Sequence, residues 1–271
     1  MSRLQVLVAA MHQTDFSLIK EMNIHADVII ANQADEESFR EYHFGDHTAK
    51  MITTRTRGVG KNRNIALAAA DAEIVLFADD DLCYKDGVFD EILRAFDALP
   101  QADLLTFSAD IIRNGSVIWR RRNKTAKCHV WNSMQYGAAF LAARRQSLTD
   151  KQLTFSELFG GGCIYGSGED SLFVKDCLHS GLTLYSHSCV LCTCAKDASS
   201  WFDGYNKKFF YDKGAWIAAA FPATKHFLKY YFLLRFCRCS ELPVKEQIAY
   251  MNSGIRNYPA RIPYQNDETN A

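Results

Sequence analysis

Apolar residues fall in short unbroken runs separated by segments with helical spacing. Residues 4–10 (LQVLVAA), 27–31 (DVIIA) and 73–78 (EIVLFA) read as strands buried on both faces, and 50–54 as a further strand. Between them, Thr14 or Asp15 is placed to cap a helix running through Met22, and residues 35–42 form an acidic stretch that predicts another helix. A turn at Gly58 and Gly60 leads into an Ala-rich helix over 62–70. Asp86 is placed to cap a helix through Leu99, which Pro100 stops. This alternation predicts a mostly parallel sheet with helices on both faces. Later, 102–108, 115–121, 137–142 and 183–194 read as strands, 160–168 as a glycine-rich loop, and 169–180 as a helix with Leu172, Phe173, Cys177 and Leu178 on one face. Residues 212–255 read as helical, broken at Pro222 and near Leu242 and Pro243, and the polar tail after Pro259 reads as loose.

Composition narrows the function classes. The chain has 271 residues, 48% apolar and 23% charged, which excludes a disordered or collagenous protein. A chain this long buries roughly 75% of its unfolded surface, so no disulfide framework or structural metal is required. Lys plus Arg and Asp plus Glu are both 31, so no global basic field exists to gather nucleic acid. The opening MSRLQVLVAA reads as a strand rather than a signal peptide. The longest apolar region, 214–236, is interrupted by Pro222, Lys225, His226 and Lys229, which argues against a membrane span. The expectation is a cytoplasmic protein whose nine cysteines are reduced thiols.

Two acidic segments carry candidate chemistry. Asp79, Asp80 and Asp81 follow EIVLFA directly, and ligands in open α/β sheets bind beyond the carboxyl ends of strands. Three adjacent carboxylates repel one another unless a cation offsets them, and such hard oxygen ligands suit Mg²⁺ or Mn²⁺ beside substrate phosphates. A solvated helix-capping loop remains the alternative. Gly166-Ser-Gly-Glu-Asp170 forms the second segment. Ser167 is placed to cap the following helix, and Glu169 and Asp170 fall in its first turn, where the macrodipole favours their ionised form. A carboxylate there can accept a proton from a bound hydroxyl, or both acids can simply stabilise the helix.

Taken in order, these pieces resemble family 2 glycosyltransferases, inverting enzymes of GT-A fold. The matching segments are VLVAAMHQ, DVIIANQAD, Gly58-Val-Gly-Lys-Asn-Arg63-Asn64-Ile-Ala66, LFADDD, Phe159-Gly-Gly-Gly162 and Gly168-Glu-Asp-Ser-Leu-Phe173. The segments 201–206 (WFDGYN) and 210–214 (FYDKG) are similar to a subgroup that builds bacterial surface polysaccharide.

The resemblance implies a three-layer α/β/α GT-A domain with a mixed, mostly parallel central sheet over residues 1–220, and a helical extension over 221–271 packed on it. Asp79 would meet the donor's ribose or metal, Asp81 would ligate the divalent ion on the diphosphate, and His187 is a candidate third ligand. Asp170 would be the general base, with Glu169 beside it for the acceptor. Ala9, His12, Asn32, Asp35 and Asp80 are the nearest matches for nucleotide-sugar contacts. Lys61 and Arg63 are candidate partners of the diphosphate or of Asp79. Asn32-Gln-Ala-Asp35 departs from the acidic pair many relatives carry there. The implied reaction moves a sugar from a nucleotide-sugar, a UDP-sugar by resemblance, to a saccharide or lipid-linked saccharide in bacterial surface polysaccharide synthesis. A sugar-phosphate nucleotidyltransferase and a non-catalytic carbohydrate-binding relative are the alternatives; the first normally needs a Gly- and basic-rich loop after the first strand, which VLVAAMHQTD lacks.

Other signals weigh less. His187, Cys189, Cys192, Cys194, Cys237 and Cys239 could bind zinc, but alternation along a strand favours buried thiols. Trp119-Arg-Arg-Arg122 with Lys124 and Lys127 reads as a solvated strand edge rather than a phosphate site. Residues 227–236 (FLKYYFLLRF) read as a packed C-terminal helix, with peripheral contact at the inner membrane surface as the alternative. Trp201, Phe202 and Tyr205 suit either a sugar-stacking surface or the core.

Overall fold

Residues 2–113, 116–121, 124–133, 135–195 and 202–265 are described by the computed structural model. The first half contains β1 (Leu4–Met11), α1 (Ser17–Glu21), β2 (Asp27–Gln33), β3 (Ser38–Phe44), β4 (His47–Thr54), α2 (Val59–Ala69), β5 (Ile74–Asp79), β6 (Leu82–Tyr84) and α3 (Val88–Ala98). It continues with β7 (Leu104–Arg113), β8 (Ser116–Arg121), β9 (Ala126–Lys127), α4 (Val130–Ser133), β10 (Leu141–Arg144), α5 (Arg145–Asp150), α6 (Glu169–His179) and β11 (Leu184–Ala195). Three helices close the chain: α7 (Lys207–Ala220), α8 (Lys225–Phe236) and α9 (Val244–Asn257).

The strands form one mixed sheet in the order β3-β4-β2-β1-β5-β10-β7-β11-β6. The block β4-β2-β1-β5 is parallel, as is β7 with β11, while β10 runs antiparallel between β5 and β7. Strand β1 is buried on both faces, which explains its unbroken apolar run. Its alternate residues feed two cores. Val6, Val8 and Ala10 join Leu18 of α1 and Ile92 of α3, whereas Leu7 joins Ala66 of α2 and Phe173 of α6. The result is the α/β/α sandwich expected of the GT-A class.

Several local expectations are corrected. Residues 35–42 do not form a helix: Ser38–Phe44 is the edge strand β3, paired antiparallel with β4 from Ser38↔Thr53 to Phe44↔His47. Cross-strand pairing overrides the acidic composition there, and Arg40, Glu41 and His43 guard the edge against other chains. Helix α1 is a short piece starting at Ser17, whose backbone N–H donates to Asp15. Asp86 caps nothing; its carboxylate accepts from the Asn23 amide, and Gly87 takes the cap position of α3. The strand expected at 137–142 begins as a 3-10 turn, Ala138–Phe140, before β10. Trp119, Arg120 and Arg121 lie on β8, which pairs with β7 alone among the described residues; Arg122 lies outside them.

Helix α7 starts at Lys207, five residues before Asp212, and packs chiefly on α9. A third core joins Phe210, Trp216 and Ile217 of α7 with Leu233 of α8, Met251 of α9 and Leu172 of α6. Lys213 sits inside this aromatic layer, its Nζ 4.9 Å from the Trp216 ring centre and 5.6, 5.9 and 5.8 Å from those of Phe209, Phe232 and Phe236. Tyr205 packs on Phe209 and Phe236, and the more exposed Phe202 caps that cluster; Trp201 lies outside the described residues. No helix among the described residues is long and apolar enough to cross a membrane.

Candidate active site

The parallel strands deliver the first acidic segment. Ala9 on β1 lies between Ala31 on β2 and Asp79 on β5, so all three meet at the carboxyl edge of the sheet. Asp80 and Asp81 occupy the turn between β5 and β6. Asp80 accepts the backbone N–H of Met11, and Asp81 accepts the Cys194 thiol at 3.7 Å. Both side chains reach solvent, yet the flanking strands remove enough water to raise their pKa values, and the charge of Asp79 raises Asp81 further.

Arg63 gathers the second segment onto the first. It projects from α2 and is only 3% exposed. Its Nη2 donates to Asp79 Oδ1 at 2.8 Å, while Nη1 donates to Asp170 Oδ1 at 2.6 Å and to Glu169 Oε1 at 3.1 Å. The guanidinium lies 5.3 Å from the ring centre of Phe155, which stacks on Phe173 at 3.9 Å, with Phe77 edge-on to both. Three carboxylates hold Arg63 firmly charged despite its burial. One positive charge does not satisfy three negative ones. Glu169, the most buried of the three, is pushed well above the usual carboxylate range by desolvation and then by Asp170, with Arg63 only partly opposing.

Helix α2 is placed for this by Asn62, whose buried amide donates to the carbonyls of Ala10 and Ala31 and so ties the helix to β1 and β2. The loop before α6 is equally constrained. Gly160 (φ +111°) passes so close to Glu169 that a Cβ there would sit 2.8 Å from its carboxyl carbon. Gly168 (φ +120°) takes the cap position of α6, and its carbonyl accepts from the Trp216 indole at 3.3 Å. Any side chain at Gly168 would strike that indole, and Gly168, not the expected Ser167, stands at the cap of the helix. Asp212 on α7, buried and also paired with Lys208, accepts the Gly166 N–H at 2.9 Å. Asn62, Phe155, Asp212 and Trp216 were not candidates from sequence. An Asn and a charged residue inside an Ala-rich helix were the available signal for Asn62; the others follow from tertiary packing.

Of the remaining candidates, Asn32 is fully buried, and its amide holds the backbone of Gln13 and the hydroxyl of Thr53. His12 is exposed in a left-handed conformation (φ 56°), with its N–H on Gln33. Asp35 pairs with Arg57 at 2.6 Å. Lys61 is half-buried on the first turns of α2. His187 does not join the aspartates. It lies seven residues before Cys194 on β11, across irregularities in that strand's pairing with β7, and packs against Phe107. Among the described residues no group of three or more His, Cys, Asp or Glu side chains is arranged to hold a metal, and all the cysteines are free. A groove of 620 Å³ lined by Asp15, Phe16, Lys20, Tyr42 and Phe44 contains none of Asp79, Asp80, Asp81, Glu169 and Asp170.

The model of glycosyl transferase family 2 matches residues 13–160, more than half of the chain. The chain belongs to glycosyl transferase family 2. It is a glycosyltransferase, and the nucleotidyltransferase alternative falls with that assignment. The matched region contains Arg63 and Asp79 to Asp81 and ends just before Glu169. Solved structures extend the likeness across the remaining helices. S. aureus TarS 1-349 in complex with UDP-GlcNAc is similar over 96% of this chain and 82% of its own, at 17% identity and a TM-score of 0.64. The same S. aureus protein in complex with UDP covers 96% and 81% at 17% identity and 0.61, and without a ligand in its description 97% and 93% at 15% identity and 0.59. At such identity these relatives establish the fold. No curated protein matches the chain by sequence.

Proposed function

We propose that this family 2 enzyme transfers a sugar from a nucleoside-diphosphate sugar, with inversion, to a hydroxyl of a saccharide or lipid-linked saccharide acceptor in surface-glycan synthesis. The observation that carries this reading is the Arg63 bridge, which places Asp79 on one acidic segment and Glu169 and Asp170 on the other around a single guanidinium. The UDP-GlcNAc complex of the similar TarS fold favours a uridine donor.

Asp170 is the general base. One of its oxygens is fixed by Arg63, while Oδ2 faces the backbone at Gly137, where a side chain would come within 3.4 Å. That oxygen is left to accept the proton of an attacking hydroxyl. Glu169, braced by Gly160 and Arg63, orients Asp170 and the acceptor. Attack opposite the leaving phosphate needs no covalent intermediate, so no Ser or Cys nucleophile is required.

Asp79 and Asp81 fit a hard divalent cation, Mn²⁺ or Mg²⁺. Both offer carboxylate oxygens, and burial, with the charge of Asp79 added to it, raises the pKa of Asp81, a cost a cation would offset. Such an ion, when bound, stabilises charge on the leaving diphosphate as a Lewis acid. Two protein ligands suffice because substrate phosphates complete the shell of such ions. Titration calorimetry with UDP tests the assignment: Mn²⁺ should strengthen binding, and Asp81→Asn should remove that gain. Metal-independent UDP binding at full strength would contradict it.

A further inference from the structure

The outer face of α8 has no partner within the described chain. Phe227, Tyr230, Tyr231 and Leu234 are 80%, 50%, 59% and 77% exposed. At roughly 100° per residue they fall within an arc of about 100°. The opposite face of the same helix, including Leu228, Phe232 and Leu233, packs into the third core, so the exposed stripe is a second apolar face and not a frayed end. Soluble monomers seldom expose a contiguous patch of this kind.

Its charge identifies the occupant. Between residues 213 and 240 there is no Asp or Glu, in a chain whose total charge is zero. Lys225 stands at the start of α8, exposed His226 flanks one side of the stripe, exposed Arg235 flanks the other, and exposed Arg238 follows its end. Trp131, 74% exposed, stacks on Phe221 at 5.7 Å, beside the turn that leads into α8. Aromatic rings framed by basic side chains and free of acids match the boundary between the headgroups and acyl chains of an anionic bilayer. A second copy of the chain fits poorly, because a two-fold contact would set these cations against their own counterparts.

We propose that α8 docks this enzyme in plane on an anionic lipid surface, with Phe227, Tyr230, Tyr231 and Leu234 inserted and Arg235 and Arg238 on the headgroups. The packed face of the same helix leads toward the acidic residues. The ring of Phe232 sits 5.3 Å from that of Trp216, whose indole donates to Gly168 beside Glu169. The proposal stands independently of the donor and of the base assigned above.

Co-sedimentation of the full chain with vesicles tests it. Vesicles of equal parts phosphatidylglycerol and phosphatidylcholine should bind the protein roughly tenfold more strongly than phosphatidylcholine alone at about 0.1 M salt. The pair Phe227→Ser with Leu234→Ser, and separately Arg235→Gln with Arg238→Gln, should each lower that binding by about tenfold while keeping the melting temperature. Failure of the unmodified protein to bind the anionic vesicles would overturn the proposal, as would binding that both pairs leave intact. A dimer in sedimentation velocity that Phe227→Ser with Leu234→Ser dissociates, without vesicle affinity, would assign the face to self-association instead.

Discussion

Arg63 and Lys213 are both cations withdrawn from water, and they are compensated by different means. Arg63 is met by three carboxylates at 2.6–3.1 Å, which outweigh its desolvation and hold it charged. Lys213 is met by four aromatic rings with centres 4.9–5.9 Å away. Ring quadrupoles attract a cation more weakly than ionised oxygens do, so burial dominates and pushes Lys213 from 10.5 down to about 8. The first arrangement leaves excess negative charge on partly exposed carboxylates, where a cation or a proton can be taken up. The second leaves a positive charge enclosed by rings and serves packing. Burying a charge is therefore no sign of function by itself; the sign and amount of the residual charge distinguish the two regions.

The largest effect should follow from removing the guanidinium. Arg63→Met strands three carboxylates, one of them buried, and should destabilise the chain by about 3–5 kcal/mol. Transfer should fall by at least about a hundredfold, since Asp170 loses the contact that positions it. Chemical denaturation and steady-state turnover read these losses; a small change in both would break the comparison at its stronger end.

A smaller effect concerns Glu169. Its pKa is raised in the folded chain, so the folded state binds the proton more tightly than the unfolded one. Its stability contribution is therefore complete at acid pH and declines as pH rises from the ordinary glutamate range through the raised value. Glu169→Gln removes that decline. Relative to the unmodified protein, the variant should gain on the order of 1 kcal/mol between about pH 5 and about pH 8. Parallel pH profiles in denaturation experiments would show that the residual charge at this site is not there.

The smallest effect belongs to Lys213. Lys213→Met keeps the aromatic packing and removes a poorly compensated charge, so stability at neutral pH should change by less than about 1 kcal/mol. The unmodified protein should regain ground as pH rises from about 8 towards 10.5, because there the unfolded chain binds more protons. A large loss in this variant would mean that the rings compensate the charge as fully as carboxylates do.

What the sequence made legible follows the same division. Strands β1, β2 and β5 were readable because burial on both faces leaves unbroken apolar runs. Asp79 and Asp170 were visible as local clusters, and Arg63 was anticipated as a partner of Asp79 from a motif on α2. The contact of Arg63 with Glu169 and Asp170 spans 106 and 107 residues and has no local signature. Strand β3 was misread because Asp35, Glu36 and Glu37 suggest an acidic helix. The two-residue turn Gly45-Asp46, with Gly45 at φ 55°, was the overlooked hairpin signal. The Lys213 cage had no local signature either, because it needs rings from two helices to converge.

The central claim is that the two acidic segments form one reaction centre in which Asp170 takes the acceptor's proton. Asp170→Asn tests it most directly, with transfer rate and nucleotide affinity measured on the same preparation. The substitution keeps the shape and the contact with Arg63 but removes the basic oxygen. Turnover should drop by about 10²- to 10⁴-fold while UDP affinity changes little. Turnover near that of the unmodified enzyme would contradict the claim, and so would a loss that appears in UDP affinity and not in the rate.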